Sequence, residues 1–362
     1  MYPQIDIYIT IILDYNLKRK GFHMKNTLLG NTGLSVSPVG MGVLPIGPNQ
    51  RNLPLKEGAQ VIKYALGRGI NFIDTAQYYR TYPYIREAMR QLKDESSLAS
   101  RPVICSKCLG ADYESMKDAV KEARDALDID VIDIFLLHEV RSGQFAERAG
   151  AWEYLNKAKT EGLVRAIGVS THNVDVVREM ASVDECDVVF PLVNYAGLGI
   201  RNGEGPGTAD EMMEAISACH DAGKGIFSMK VFGGGNLTGT YQKALDYVFS
   251  KKQIDSVMVG FSSESEIDDM IEYLEGNMPK EYNPDVSAKR MWIEESDCEG
   301  CGSCMKACQS QAIFYNERGL AQIREDICLT CGYCAAACPV RAIIMVLSLI
   351  HISEPTRLLS IS

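Results

Sequence analysis

Eight cysteines between residues 298 and 338 stand at a spacing that implies chemistry by itself. Cys298, Cys301, Cys304 and Cys308 read C-x2-C-x2-C-x3-C, and Cys328, Cys331, Cys334 and Cys338 repeat the pattern, with Pro339 following. Thiolates are soft, anionic ligands that suit iron–sulfur centres. The x2 spacings let three sulfurs of one tight loop reach one cluster, while the fourth sits on the following segment and points at the other. This assigns Cys298, Cys301, Cys304 and Cys338 to one [4Fe–4S] cluster, and Cys328, Cys331, Cys334 and Cys308 to a second. Structural zinc rarely repeats four thiols at this spacing, and disulfides do not suit a chain with no secretion signal.

The two halves also match outside the thiols. Gly302 and Gly332 follow the second Cys of each half, where the backbone must bend close to inorganic sulfide, and Ala312-Ile313 pairs with Ala342-Ile343. The segment is an internal repeat and resembles the bacterial two-cluster ferredoxins. One departure is Gln309 where the second half has Pro339.

A second set of reactive side chains lies earlier. Asp74, Lys107, His138 and Ser170 each close a short apolar run, and Tyr79 follows Asp74 in the same loop. Chemically, Asp74, Tyr79, Lys107 and His138 make a proton-donating set. A phenol is a weak acid, near 10, and a neighbouring ammonium stabilises its phenolate. Asp74 would hold Lys107 charged and in place, and His138 would orient a carbonyl oxygen by hydrogen bonding. Spacing from Asp74 favours Tyr79 over Tyr78 as the donor.

Such residues need elements that hold them at one end of a scaffold. From Asn26 onward strand-like and helix-like segments alternate. Strands are expected within 34–43 and at 70–74, 103–107, 131–137, 163–169, 187–193, 225–230 and 255–259. Helices are expected at 57–67, 83–92, 113–127, 147–160, 173–182, 209–221, 240–250 and 264–275. Alternation of this kind predicts a parallel sheet, and eight repeats predict a closed (β/α)8 TIM barrel, whose working residues sit at the C-terminal strand ends. An open doubly wound sheet would want a glycine-rich phosphate turn after the first strand, and Gly40-Met-Gly42 is too thin for one.

The residues around these positions resemble the aldo-keto reductase family. The likeness is carried by Gly69-Ile-Asn-Phe-Ile-Asp-Thr-Ala-Gln-Tyr-Tyr79, Ser106-Lys107, Asp133-Ile-Phe-Leu-Leu-His138, Ile167-Gly-Val-Ser170, Leu29-Gly-Asn-Thr-Gly33 and Val259-Gly260. The resemblance implies a (β/α)8 barrel that reduces aldehydes or ketones with NADPH or NADH, without flavin. By that likeness Tyr79 is the general acid, Lys107 and Asp74 tune it, and His138 orients the carbonyl. Ser170 would contact the nicotinamide amide, and Lys230 and Gly233 the pyrophosphate. Gly260 and Ser262, at and after strand eight, would complete the cofactor contacts. Thr171 replaces the family's usual Asn, and the loop Phe261–Asp269 carries no Arg or Lys for a 2′-phosphate.

Composition bounds the rest. The chain has 362 residues and a formal net charge of −10, which argues against nucleic acid or an anionic membrane as partner. No apolar run reaches the roughly eighteen residues of a membrane helix, and the reduced thiols imply a cytoplasmic setting. Residues 1–23 read as a translated leader ahead of Met24, 24–277 as the barrel, 278–290 as a linker and 291–346 as a small α+β ferredoxin-like dicluster domain. Residues 347–362 read as the translation of a sequencing adapter. Cys105 and Cys108 read as buried thiols, Cys186 and Cys219 carry no signal, and His172 and His220 read as surface or packing residues.

Electron counting then frames the function. A hydride carries two electrons, whereas each cluster accepts one, and no flavin fingerprint is visible to convert between them. The leading expectation is an iron–sulfur oxidoreductase acting on a small carbonyl or alcohol substrate, with clusters that feed or drain electrons, in one version through a redox protein partner. The alternatives are a carbonyl reductase whose clusters serve structure, docking or redox sensing, and a non-enzymatic electron carrier on a barrel scaffold. The intact tetrad speaks against the last.

Overall fold

The computed structural model describes residues 24–94, 101–203, 205–278, 290–295, 297–340 and 342–346. The expected leader, most of the expected linker and the expected adapter-derived segment lie outside the described residues. Eight parallel strands close into a barrel: β1 (Val39–Gly42), β2 (Phe72–Asp74), β3 (Val103–Cys108), β4 (Ile132–Leu137), β5 (Val164–Thr171), β6 (Val188–Pro191), β7 (Gly225–Ser228) and β8 (Ser256–Gly260), each paired with the next and β8 with β1. The helices α1 (Leu55–Gly67), α2 (Tyr82–Asp94), α3 (Tyr113–Leu127), α4 (Ala149–Thr160), α5 (Val174–Met180), α6 (Ala209–Asp221), α7 (Tyr241–Phe249) and α8 (Glu264–Leu274) follow the strands in turn.

Local chemistry sets these boundaries. Asp112 caps α3 by accepting from Ser115 N at 2.9 Å, and Thr208 and Glu211 form a reciprocal capping box on α6. Every residue of β3 and β4 is buried, as expected of strands covered on both sides. One face packs under the helices. The other fills the barrel interior, where Phe227 stacks on Phe190 at 4.2 Å between ring centres and meets Phe72 edge-on at 5.0 Å. A hairpin pairs Thr27–Leu28, absent from the strands expected above, with Ser35–Val36, which falls within the expected 34–43 stretch, and adds Leu29, Leu34 and Val36 to this interior core.

Three aspartates pin adjacent strands at their starts. Asp133 accepts from Ile104 N at 2.9 Å, Asp187 from Ile167 N at 2.9 Å and Asp255 from Ile226 N at 2.8 Å. Each satisfies a backbone donor on the preceding strand and fixes relative register. That register delivers the polar residues to the opposite end together.

The dicluster domain is built from two antiparallel pairs and two short helices. Strand β9 (Arg290–Ile293) pairs with β12 (Ile343–Val346), and β10 (Ile313–Tyr315) with β11 (Ala321–Ile323). Helices α9 (Ser303–Ala307) and α10 (Tyr333–Ala337) each start from a glycine in the left-handed region, Gly302 at φ 72° and Gly332 at φ 85°. No helix among the described residues is long and apolar enough to cross a membrane.

Gly168 sets how closely β5 and β6 approach. A Cβ there would lie 1.8 Å from the Val188 carbonyl oxygen, and that atom is backbone. Gly168→Ala should therefore lower stability by about 3 kcal/mol through forced strand separation, read from the urea midpoint. An unchanged midpoint would show that the strands part freely.

Candidate functional site

Asp74 ends β2, Lys107 lies near the end of β3, and His138 follows β4, so three consecutive strands present them at one mouth of the barrel. Lys107 Nζ donates to Asp74 Oδ1 and to the Thr75 carbonyl, both at 2.7 Å, and its side chain is only 1% exposed. Tyr79 closes the helical turn Gln77–Tyr79 after β2 and is buried with its ring centre 4.6 Å from Lys107 Nζ. The Tyr79 and His138 rings meet edge-on at 5.6 Å. Tyr78, its neighbour in sequence, turns instead against Tyr333.

Burial sets the electrostatics. It would lower Lys107, but the Asp74 carboxylate overcomes this and holds the ammonium above its ordinary range. At Asp74 burial pushes the carboxyl up and Lys107 pulls it back. At Tyr79 burial also pushes upward and outweighs the Lys107 charge, which lowers the phenol as the sequence suggested. Burial, then the charges of Lys107 and Arg148, push His138 well below the usual imidazole range, so the ring is neutral. Its Nδ1 has no hydrogen-bond partner in the structure, while Nε2 lies 2.9 Å from Tyr333 Oη. An unpaired buried N–H is rarer than an unpaired acceptor, which assigns the proton to Nε2. Arg148 holds the local backbone, donating to the carbonyls of His138 and Cys108 at 2.8 Å each.

The dicluster domain sits on this same mouth. Leu329 is buried in the barrel's main core, reaching Gly199 and Gly234. Thr330 Oγ1 donates to the Gly234 carbonyl at 2.9 Å, and Asn236 Nδ2 donates to the Cys328 carbonyl at 2.9 Å. Arg141 Nη1 donates to the Lys306 carbonyl at 2.6 Å while Nη2 pairs with Glu139 at 2.9 Å, and Gln309 donates to the same Glu139 carboxylate. Sequence reasoning missed Tyr333, Leu329, Thr330, Glu139 and Arg141. A signal for three of them was available in the repeat. Glu299, Gly300 and Ser303 stand in the first half where Leu329, Thr330 and Tyr333 stand in the second.

The cluster cysteines surround two cavities. Cys298, Cys301, Cys304 and Cys338 line one, and Cys308, Cys328, Cys331 and Cys334 line the other. Among the described residues no three His, Cys, Asp or Glu side chains converge on a single point as one metal ion would require. Four sulfurs ringing a hollow fit a cubane cluster. Each ring takes three thiols from one half and one from the other, the crossed grouping expected above. Cys301 of the first ring is exposed, whereas the second ring's loop packs on the barrel.

The residues expected to hold a dinucleotide are more dispersed. Ser170 is buried beside His138 and its Oγ accepts from Glu139 N at 2.9 Å. Lys230 lies in the left-handed region at φ 64°. Burial raises the thiols of Cys328 (to about 11) and Cys331, and the nearby Lys230 charge offsets part of that rise. Gly233 donates its N–H to the Lys230 carbonyl at 2.7 Å, and the loop it opens is the one that receives Leu329. Gly260 is exposed at the end of β8. Ser262 gives its N–H (2.6 Å) and hydroxyl (3.0 Å) to the Glu266 carboxylate. The donors of Ser262 are thus engaged by the chain's own carboxylate. His172, read from sequence as a surface or packing residue, is buried next to Lys230, and burial lowers it to about 3. Cys105 faces the barrel interior and Cys108 the helices, which parts the two thiols.

The aldo/keto reductase family model matches residues 38–246, and a 4Fe-4S dicluster domain model matches residues 291–346. Among curated proteins, the chain is 25% identical over 279 residues to L-galactose dehydrogenase of Arabidopsis thaliana, covering 67% of this chain and 86% of that one. It is 25% identical over 276 residues to the NADH-specific methylglyoxal reductase of Escherichia coli, covering 69% and 79%. Among solved structures, an aldo-keto reductase from Bacillus halodurans in its holo form superposes with a TM-score of 0.57 at 18% identity, covering 71% of this chain and 93% of that one. One from Bombyx mori in complex with NADP gives 0.55 at 16% identity, covering 72% and 91%.

The crossed grouping of thiols has a direct consequence. Cys308→Ser should damage the same cluster as Cys331→Ser, and Cys338→Ser the same one as Cys301→Ser. Electron paramagnetic resonance of the reduced variants should show two classes of spectrum sorted this way. Sorting by sequence half would refute the crossed arrangement.

Proposed function

The chain belongs to the aldo/keto reductase family, and from that premise we propose that it reduces an aldehyde or ketone, or oxidises the corresponding alcohol, at Tyr79, and that the attached domain holds two clusters, each a one-electron carrier, that would together exchange the two electrons of one nicotinamide with a proton passing to or from solvent. A bound reduced nicotinamide supplies hydride and the clusters carry single electrons. The protein's own residues do the remaining work. His138, neutral and protonated on Nε2, donates to the substrate oxygen. Tyr79 gives that oxygen its proton, and the fixed charge of Lys107 stabilises the phenolate left behind. Asp74 keeps Lys107 charged and still. The four side chains are buried, and the lower local dielectric strengthens each of these interactions.

The observation that carries this reading is the shared mouth. The same strand ends that hold the tetrad receive the loop of the second cluster, and the first cluster's Cys301 faces solvent. Cys298, Cys301, Cys304 and Cys338 would hold a cluster on the solvent side, Cys308, Cys328, Cys331 and Cys334 one on the barrel side, and such clusters would supply one-electron transfer between a redox partner and the barrel. A cytoplasmic setting suits eight reduced thiols. Glu266 on Ser262 favours NADH, because a second anion beside a carboxylate is repelled. A second reading has support from the depth at which Leu329 and Tyr333 enter the barrel. In it the dicluster domain is a structural cap on an ordinary carbonyl reductase.

Anaerobic titration separates the two. Adding NADH to cluster-loaded protein should bleach the visible cluster absorbance, and NADH bound without bleaching would favour the cap. Tyr79→Phe should lower carbonyl turnover by about 10²–10⁴-fold with clusters intact, and retained turnover would discard Tyr79 as the proton donor. Fluorescence titration should give a Kd for NADH roughly tenfold below that for NADPH, and Glu266→Gln should narrow that gap. Equal affinities in the parent protein would remove the role given to Glu266.

A further inference from the structure

A carbonyl oxygen poised for protonation must lie within hydrogen-bond reach of both the Tyr79 phenol and His138 Nε2. One of those two partners is already engaged by another part of the chain. Tyr333 Oη lies 2.9 Å from His138 Nε2, and the His138 ring meets the Tyr79 ring edge-on at 5.6 Å. With the proton on Nε2, the Tyr333 oxygen accepts from His138 as a substrate carbonyl would. We infer that Tyr333, carried by the dicluster domain, is an intramolecular occupant of the substrate-oxygen position, so that a carbonyl binds only by displacing its hydroxyl. The inference rests on the reading of Tyr79 and His138 as the groups that hold that oxygen.

The side chain is held in place and does not dangle there. Its ring packs on Tyr78 at 5.4 Å and on His138 at 5.9 Å. Its backbone follows Gly332, whose left-handed φ of 85° turns the chain into α10, and Thr330 three residues earlier is tied to Gly234. Cluster ligation does not demand a tyrosine at this position, since Ser303 stands at the equivalent point of the first half. The ring and hydroxyl together therefore set a threshold that an incoming substrate must exceed. The residue is specificity-determining for the barrel although it belongs to the other domain.

The test uses cluster-loaded full-length protein and 4-nitrobenzaldehyde, whose ring and oxygen can replace both the Tyr78 and His138 contacts of the tyrosine. Tyr333→Phe keeps the ring and removes the competing hydroxyl. Its KM for this aldehyde should fall roughly tenfold, the worth of about one hydrogen bond, with kcat not reduced. Calorimetry with 4-nitrobenzyl alcohol should show a similar tightening without any turnover. A KM and Kd that stay the same or rise, or a kcat that falls at constant KM, would overturn the inference. Tyr79→Phe run in parallel keeps the two readings apart. If it turns over like the parent, the proton-donor reading fails, and the calorimetric comparison still decides occupancy. Should Tyr333→Phe lose its clusters, a crystal of the parent protein soaked in the aldehyde decides. The aldehyde oxygen on Tyr79 and His138 with Tyr333 turned away supports displacement, and a bound aldehyde with Tyr333 still on His138 refutes it.

Discussion

A fully buried ammonium at the mouth of the barrel is the constraint around which the site is arranged. Lys107 is 1% exposed, and its charge is tolerable there because Asp74 and the Thr75 carbonyl both accept from it at 2.7 Å. Removing either partner from such a pair typically costs 3–5 kcal/mol, because the remaining charge stays buried. The pairing depends on strand register. Asp74 stands opposite Cys105 across β2 and β3, so Lys107, two residues on, shares the inward face of Cys105 and can reach back to the carboxylate. A one-residue slip would turn the lysine toward the helices and leave Asp74 alone.

The second organising feature is an asymmetry inside a symmetric repeat. Both halves keep the same thiol spacing and the same left-handed glycine, because both must wrap a loop around a cluster. They differ at the positions that do not ligate. The first half carries Glu299, Gly300 and Ser303, and Cys301 among them is exposed. The second half carries Leu329, Thr330 and Tyr333, and these enter the barrel mouth. Gln309, the departure from the proline of the second half, contacts the buried Glu139 carboxylate. One half is shaped for solvent and the other for docking, and the difference is carried by side-chain size and polarity alone.

Docking also changes what the barrel loops do. The Gly233–Gly235 turn needs glycine at Gly234 because a Cβ there would lie 2.3 Å from the Leu329 carbonyl oxygen. A run that reads as a phosphate loop is thus shaped, at that residue, by the neighbouring domain. The acidic end of β8 behaves in a similar way: Glu266 turns back to accept from Ser262, so the local donors are spent on the chain's own carboxylate.

Much of this was legible in the residues before any fold was known. Alternating apolar runs and helical patches gave eight strands in order, because a parallel strand buried on both faces must be nearly all apolar and its crossover must be long. The opening strand of the hairpin ahead of β1 was not legible, since two residues carry no periodicity. The tetrad stood out because ionisable residues at the ends of such runs are costly without a purpose. What the residue order could not give was the placement of one domain on the other. Cys spacing dictates which thiols share a cavity, because loop length limits reach. No local pattern says that Tyr333 should meet His138 across nearly two hundred residues of chain. That meeting is decided by Leu329 finding the hollow beside Gly199 and Gly234, a fit between surfaces that exist only once both domains are folded.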